Sequence, residues 1–273
     1  MVLAVQFDAY GATIRGDYSA HKVAGMLSDQ LLGIVCKGKA VRRFGETIAI
    51  DVNNRTAAWV GQDTTTGHIY VEGKGETSPQ LVAAIREQFP DHTAPRIDVR
   101  EDYSHPGAFE QLQGVIRGHK GPRVKGGYVA LPDNVEDGRT WAAGVRGGVG
   151  FIRLYEAGKH PDRLHLARPD WVRAELECRP HYAKDKAAAA LMTPAQVWGM
   201  TAWTHAVGEA LTQCQLPRYE PETRVFSHEK TVYYVATKFR RCFETMLEDG
   251  LHFEATFREI WAEEDRLRRR GMK

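Results

Sequence analysis

Long apolar runs are missing from this sequence. None approaches the roughly 20 residues that a membrane-spanning helix needs, and the opening MVLAVQFDAYGATIRGDY lacks the basic start and long apolar core of a secretory signal. The expected location is therefore cytoplasmic, with no membrane partner. Cysteine is scarce: Cys36, Cys178, Cys214 and Cys242 lie far apart and form no CxxC or Cys/His pattern. Neither a zinc module nor a disulfide framework is suggested; reduced thiols are expected, with Cys178 in the core. No His-hydrophobic-His pair occurs either, since His165, His181 and His205 stand scattered. Charge of one sign is not in excess, and a formal net charge of +2 over 273 residues does not by itself announce a polyanionic partner. Basic residues do cluster locally, at Lys37 to Arg43, Arg117 to Lys125 and Arg266 to Lys273. Each cluster taken singly reads as a solvated loop or helix end.

What is present is an ordinary globular composition, 42% hydrophobic and 26% charged, with no low-complexity tract and no repeat of fixed period. A helix is expected around Tyr18 to Leu32. Short strands follow it: ETIAIDV alternates Ile48, Ile50 and Val52 against Thr47, Ala49 and Asp51, and GHIYVEG comes after a turn-rich DTTTG. Ser78-Pro79 starts a second helix, with Leu81, Val82, Ile85 and Phe89 as its apolar stripe. The second half repeats the style with strand PRIDVRED, a helix from about Gly107 to Arg117, a Gly-rich basic loop, strands near Tyr128, Trp141 and Phe151, and strand WVRAELECR. One long helix is then expected from Thr193-Pro194 through Leu211, and two amphipathic helices, about 231–248 and 253–270, close the chain. The expected fold is α+β: mostly antiparallel sheet, helices on one face, and the other face open for a ligand. Segments 1–92, 93–220 and 221–273 are the expected divisions.

Three predicted strands carry the chemistry, because side chains on a strand alternate faces with a period of two. Opposite Ile97 and Val99 stand Arg96, Asp98, Arg100 and Asp102. Opposite Ile152 and Leu154 stand Phe151, Arg153 and Tyr155. Opposite Val172, Ala174, Leu176 and Cys178 stand Trp171, Arg173, Glu175, Glu177 and Arg179. Aligned side by side, these faces suit phosphodiester chemistry. Carboxylate oxygens of Asp98, Glu175 and Glu177 are suitable ligands for Mg²⁺ or Mn²⁺. Arg153 and Arg173 can pair with phosphate oxygens, and a tyrosine becomes a nucleophile once a cation favours its phenolate. Alternating Arg and Glu also describes a plain solvated sheet face, where cross-strand pairs contribute roughly 0.2–1 kcal/mol each. Spacing alone does not choose between the two.

The ordered set RIDVRED, GRTWAAGVR, RLYEAGK and WVRAELE, spanning Arg96 to about Glu209 with the following helix, resembles the replication initiation factor family, the rolling-circle initiators of plasmids, phages and mobile elements. The resemblance implies a nicking tyrosine at Tyr155, acidic metal positions at Asp98, Glu175 and Glu177, and Arg153 and Arg173 as further catalytic groups. It implies origin recognition, cleavage of one strand with a 5′-phosphotyrosine link, and rejoining by transesterification without ATP. Candidate DNA contacts are Arg96, Arg117, Lys120, Arg123, Lys125, Arg146 and Lys159. A host helicase is a further candidate partner, and the terminal helices suit either a homodimer or packing on the chain's own sheet. The sequence departs from the family in two places: Ala157 and Gly158 displace the lysine expected after the tyrosine to Lys159, and Gly147-Gly148 replace a serine. Three rivals remain at this stage. They are a non-catalytic origin-binding or regulatory protein of the same fold, a protein-interaction domain, and a nuclease that uses water.

Overall fold

The structure is a computed structural model that describes residues 5–39, 44–124, 126–130, 138–220 and 228–269. Met1–Glu222 form one compact unit and Thr223–Lys273 a second. The first unit runs β1 (Gln6–Ile14), α1 (Ala20–Leu31), β2 (Ile34–Lys37), β3 (Phe44–Val52), β4 (Arg55–Asp63), β5 (Ile69–Lys74), α2 (Ser78–Gln88), β6 (Thr93–Ser104), α3 (Ala108–His119), β7 (Gly126–Ala130), β8 (Thr140–Gly144), β9 (Phe151–Tyr155), β10 (Trp171–Cys178), α4 (Ala183–Leu191), α5 (Pro194–Val197) and α6 (Ala202–Thr212). Among the described residues ten strands join one sheet in the order β2-β3-β4-β5-β1-β6-β10-β9-β8-β7, every pairing antiparallel. The α+β class with a one-sided helical cover is as expected.

That strand order is a palindrome. Each half runs strand, helix, four-strand meander, helix, with its first strand pairing to its last, and the two first strands, β1 and β6, meet at the centre. The chain therefore holds a duplicated topology although its sequence shows no repeat. Fold repetition needs only the same alternation of polar and apolar positions and the same turns, which many side-chain sets satisfy. The β3–β4 turn is an example of such local dictation. Asn53 and Asn54 sit at φ 51° and 60°, the left-handed pair that a two-residue hairpin needs and that asparagine tolerates.

One sheet face is apolar and lies under the helices. Ile50, Val60, Val71, Tyr10, Ile97, Val99, Trp141, Ile152, Leu154, Val172 and Leu176 are buried there against Val23 and Leu27 of α1, Leu81 and Ile85 of α2, and Leu112 and Ile116 of α3. Cys178 belongs to this core, as expected. The predicted single helix after Thr193 is broken. Gly199 lets the backbone pass so close to Pro217 that an added Cβ would lie 2.2 Å from its carbonyl oxygen, and the Gly199 carbonyl accepts from the Tyr219 N–H. Thr201 then restarts the chain as a new N-cap in a reciprocal bond with Thr204. β1 was not anticipated as a strand. In the second unit α7 (His228–Lys238), α8 (Arg240–Glu248) and α9 (Phe253–Arg269) fill the expected helical region, with Arg240–Glu244 and Arg258–Glu254 pairs one turn apart. Among the described residues no helix is long and apolar enough to cross a membrane.

One acidic group lies on the wrong side of the sheet. Glu101 of β6 points into the core, 1% exposed; it accepts the Tyr103 hydroxyl at Oε2, and its Oε1 has no hydrogen-bond partner among the described residues. Burial pushes its pKa up to about 7, partly opposed by the tyrosine hydrogen bond. Between the unfolded carboxyl's value and about 7 the folded chain holds a proton that the unfolded chain has lost. Stability is therefore full at acid pH and falls as pH rises through about 7. Glu101→Gln is expected to flatten this dependence and to be on the order of 3 kcal/mol more stable than the parent, relative to its behaviour at about pH 5, when both are unfolded in urea at about pH 8. Parallel stability curves for the two proteins would refute the assignment.

Candidate active site

The other sheet face gathers the predicted charged residues, and the register shows how. Across β10 and β9, Arg173 is opposite Tyr155 and Glu175 opposite Arg153; across β10 and β6, Arg173 is opposite Asp102, Glu175 opposite Arg100 and Glu177 opposite Asp98. An irregularity in β1 between Phe7 and Ala9, where the register against β6 slips, adds a residue that sequence reasoning missed. The bulge interrupts the alternation by placing Asp8 and Ala9 side by side on the polar face, between inward-pointing Phe7 and Tyr10. Ser78 of α2 holds the bulge by donating to the Asp8 carbonyl at 2.9 Å.

This face was expected to stay open, and most of it is instead closed by its own ion pairs. Arg173 is 2% exposed and donates through Nε and Nη2 to both oxygens of Asp102 at 2.7 and 3.0 Å, and through Nη1 to Asp8 at 3.2 Å. Arg100 reaches Asp8 and Glu76, each at 2.7 Å. Arg96 grips both oxygens of Asp98, at 3.0 and 2.5 Å, and reaches Glu72 at 2.9 Å. Arg153 pairs with Glu175, and Arg179 with Glu177 at 2.7 Å. Alternating signs on adjacent strands interlock, so long side chains lie flat and exclude water from each other. Burial pushes the Asp98 carboxyl up despite its arginine. Burial also pushes Glu175 up, to about 7, with Arg153 opposing and the charges of Asp8 and Asp98 adding to it. Glu177 goes the other way: burial raises it, but Arg179, Arg96 and Arg153 together hold it below the ordinary carboxylate value.

A cleft of about 240 Å³ remains, lined by Asp8, Lys74, Arg96, Asp98, Arg146, Arg153, Glu175, Glu177 and Arg179. Arg146 enters from the Gly-rich β8–β9 turn, where Gly144 and Gly147 take φ of 94° and 81° and the Gly148 carbonyl accepts from the Arg179 N–H.

Tyr155 ends β9 at the side of this network, half-buried. Among the described residues its hydroxyl makes no hydrogen bond, while Arg173, Glu175 and Asp8 around it are held in ion pairs. Burial raises its pKa, with Arg173 and Arg163 opposing and Glu175 and Asp8 adding to the rise. The next residue clamps the strand end: Glu156 accepts from the backbone and side chain of Arg139 and from Lys159 at 2.8 to 3.1 Å. Burial would raise Glu156, but these donors bring it down to about 2. The chain then doubles back over β10, and Gly158 is required there, since an added Cβ would lie 1.8 Å from the Arg168 carbonyl oxygen. This close crossing explains why glycine stands at position 158. It also delivers Arg163 and Arg168 to the ring of Trp171, 4.9 and 5.0 Å from its centroid, with Arg173 at 5.3 Å. Trp171 itself donates to Asp102 at 2.8 Å. Nη1 of Arg163 is buried without a hydrogen-bond partner among the described residues.

The remaining predicted contacts do not gather at the cleft. Arg117 stacks over Trp141, which belongs to the helix-covered core, 5.7 Å from the ring centroid. Lys120 and Arg123 follow at the end of the same helix, Lys120 donating to the Val124 carbonyl at 3.0 Å. Lys159 is held by Glu156, and Lys125 lies outside the described residues. Asp8, Arg163 and Arg168 are the site residues that sequence reasoning passed over. As for metal, no group of three acidic, histidine or cysteine side chains is arranged to hold an ion among the described residues. Asp98, Glu175 and Glu177 each face an arginine instead, so the arrangement does not fit a bound cation as it stands.

No protein-family model and no curated protein matches the sequence. The likeness that exists is one of fold. The solved structure of a rolling circle replication initiator protein from Geobacillus stearothermophilus superposes with a TM-score of 0.51 at 15% identity, covering 83% of this chain and 90% of that one. The chain thus has the fold of a replication initiator. The regulatory subunit of aspartate kinase from Thermus thermophilus also aligns, at 9% identity over 77% of this chain and 99% of that one, but its TM-score of 0.19 carries no argument.

The paired state of Arg173 has a measurable consequence. Arg173→Met leaves Asp102 without its buried cation and Asp8 with Arg100 alone, and is expected to cost on the order of 3–5 kcal/mol in urea unfolding. A loss within the roughly 1 kcal/mol typical of an exposed pair would show that Arg173 is not structurally committed.

Proposed function

We propose that the chain is a replication initiator that nicks one DNA strand with Tyr155. The observation that carries this reading is a half-buried tyrosine whose hydroxyl is uncommitted, set among fixed charges on the polar face of a sheet with an initiator's fold. The Tyr155 oxygen attacks the scissile phosphorus and the O3′–P bond breaks. The 3′ oxygen leaves as an alkoxide that takes a proton from water to become a hydroxyl, and the strand's 5′ phosphate stays on the tyrosine as a phosphodiester. The phenolic proton passes to a carboxylate; Glu175 and Asp8 are the two whose charge bears on Tyr155. Attack by a 3′ hydroxyl on the phosphotyrosine reverses these bond changes and rejoins the strand without ATP. Arg163, whose charge bears on the Tyr155 hydroxyl, is the cation assigned to meet the charge developing on the phosphoryl oxygens; Arg173 and Arg153 hold the carboxylates in place.

A divalent cation, Mg²⁺ or Mn²⁺, on Asp98, Glu175 and Glu177 would supply Lewis-acid polarisation. It requires Arg96, Arg153 and Arg179 to release those oxygens. Arg146 and Arg179 at the cleft mouth are the proposed contacts to the DNA backbone, which makes binding fall steeply with added salt. A helicase or a second copy of the chain as partner adds nothing to this chemistry.

Incubation with single-stranded oligonucleotides from the native element, with and without Mn²⁺ or Mg²⁺, tests the reading on a denaturing gel. A protease-sensitive shifted band is expected from the parent and none from Tyr155→Phe. Cleavage that survives the substitution would mean attack by water. Binding with no cleavage in the parent would mean a non-catalytic origin-binding protein.

A further inference from the structure

The polar face does not stop at the cleft. It continues across β1 onto the first half of the sheet, where the charged lattice gives way to three aromatic rings, Phe44 on β3, Trp59 on β4 and Tyr70 on β5. Their side is fixed by register: Trp59 is opposite Glu72, Gly61 opposite Tyr70, Gly11 opposite both Glu72 and Arg96 on its two flanks, and Ala9 opposite Asp98. The rings touch one another, with centroids 5.3 Å apart for Phe44–Trp59, 5.8 Å for Phe44–Tyr70 and 5.2 Å for Trp59–Tyr70. Two glycines let them lie down on the sheet. A Cβ at Gly61 would meet the Phe44 ring at 2.8 Å, and one at Gly11 would meet the Tyr70 hydroxyl at 2.6 Å. Each ring is half-buried and keeps part of its surface exposed. Aromatic side chains on a sheet face away from the core have no share in the helix-covered interior.

We propose that Phe44, Trp59 and Tyr70 form a base-stacking platform for the single-stranded DNA that leads away from the nick. The inference rests on the proposed function and names where the substrate strand goes. Continuity and charge favour this occupant. Arg179 both lines the cleft and bears electrostatically on Tyr70, and Lys74 and Arg146 stand at the same cleft. A strand leaving Tyr155 on β9 thus crosses a row of cations before it reaches the rings. Five strand spacings, on the order of 24 Å, separate β9 from β4, so the platform grips bases several nucleotides from the reacting phosphate. Aromatic faces accept every base, which suits the generic part of a strand, and duplex DNA, with its bases already stacked, offers the rings nothing. The duplicated fold thereby divides its labour, chemistry on one half and strand grip on the other.

Tryptophan fluorescence of the full chain tests the platform. A thymidine oligonucleotide of about 20 nucleotides, long enough for one such site, is titrated against the parent, Trp59→Phe and Trp59→Ala, all in a Tyr155→Phe background so that no covalent product forms. Quenching by the oligonucleotide and not by a duplex of equal length is expected in the Trp59-containing chain. Most of that quenching is lost in Trp59→Phe, and affinity falls about 10-fold or more in Trp59→Ala with its circular dichroism unchanged. Undiminished quenching in Trp59→Phe overturns the proposal, as does unchanged affinity in Trp59→Ala or equal quenching by duplex. Should Trp59→Ala fail to fold, the Trp59→Phe quench decides alone. A Trp59-dependent quench without any adduct from the chain carrying Tyr155 would sink the nicking reading and leave the platform. An adduct with Trp59-independent quenching would do the reverse.

Discussion

A guanidinium or carboxylate removed from water on a sheet surface must find a partner of opposite sign, and that demand organises this molecule. Arg173 shows it most clearly. It is the cross-strand neighbour of Tyr155 on one side and of Asp102 on the other, and it also reaches Asp8 on the bulge of β1. One buried cation thus ties together strands from both halves of the sheet. Arg100 and Arg96 do the same between β6 and the first half, through Asp8, Glu76 and Glu72. Removing any one centre leaves its largely buried partners, Asp8, Asp98 or Asp102, charged and dry, so the lattice is stable as a whole and intolerant of gaps.

The same lattice explains why a tyrosine stands out. Most polar groups near it already have partners, which fixes their positions and spends their hydrogen bonds. A site that keeps nearly all its charges locked can leave one hydroxyl and a few guanidinium nitrogens, Nη1 of Arg163 and Nε of Arg100 and Arg153, uncommitted without collapsing around them. Preorganisation of this kind carries its own cost, visible in Glu175, whose burial among Asp8 and Asp98 pushes it up to about 7 despite Arg153.

Much of the local structure was legible in the sequence. Period-two alternation assigned the faces of RIDVRED, FIRLYE and WVRAELECR, and the structure sets those faces side by side. Ser78-Pro79 and Thr193-Pro194 marked helix starts that the fold uses. What was not legible depends on distant pairing. β1 escaped notice because its bulge interrupts the alternation between Phe7 and Tyr10, and Asp8 escaped with it. The break at Gly199 follows from a backbone passing close by from Pro217, which no local pattern encodes. The basic run after α3 looked like part of the site by composition, but Arg117 lies over a ring of the helix-covered core. Composition does not say which side of a sheet a loop end will occupy.

The palindromic strand order has a bearing on how the chain comes to be folded. β1 finds β5 within the first half, so that half can close its own small sheet, with α1 and α2 on it, while the remainder is still being made. Until β6 arrives, the far side of β1 is an unpaired edge carrying a row of N–H and C=O groups and an acidic bulge. Such an edge invites strands from other chains, and a negative charge beside it repels copies of itself. The aspartate that later anchors two arginines would first serve the nascent half as a guard.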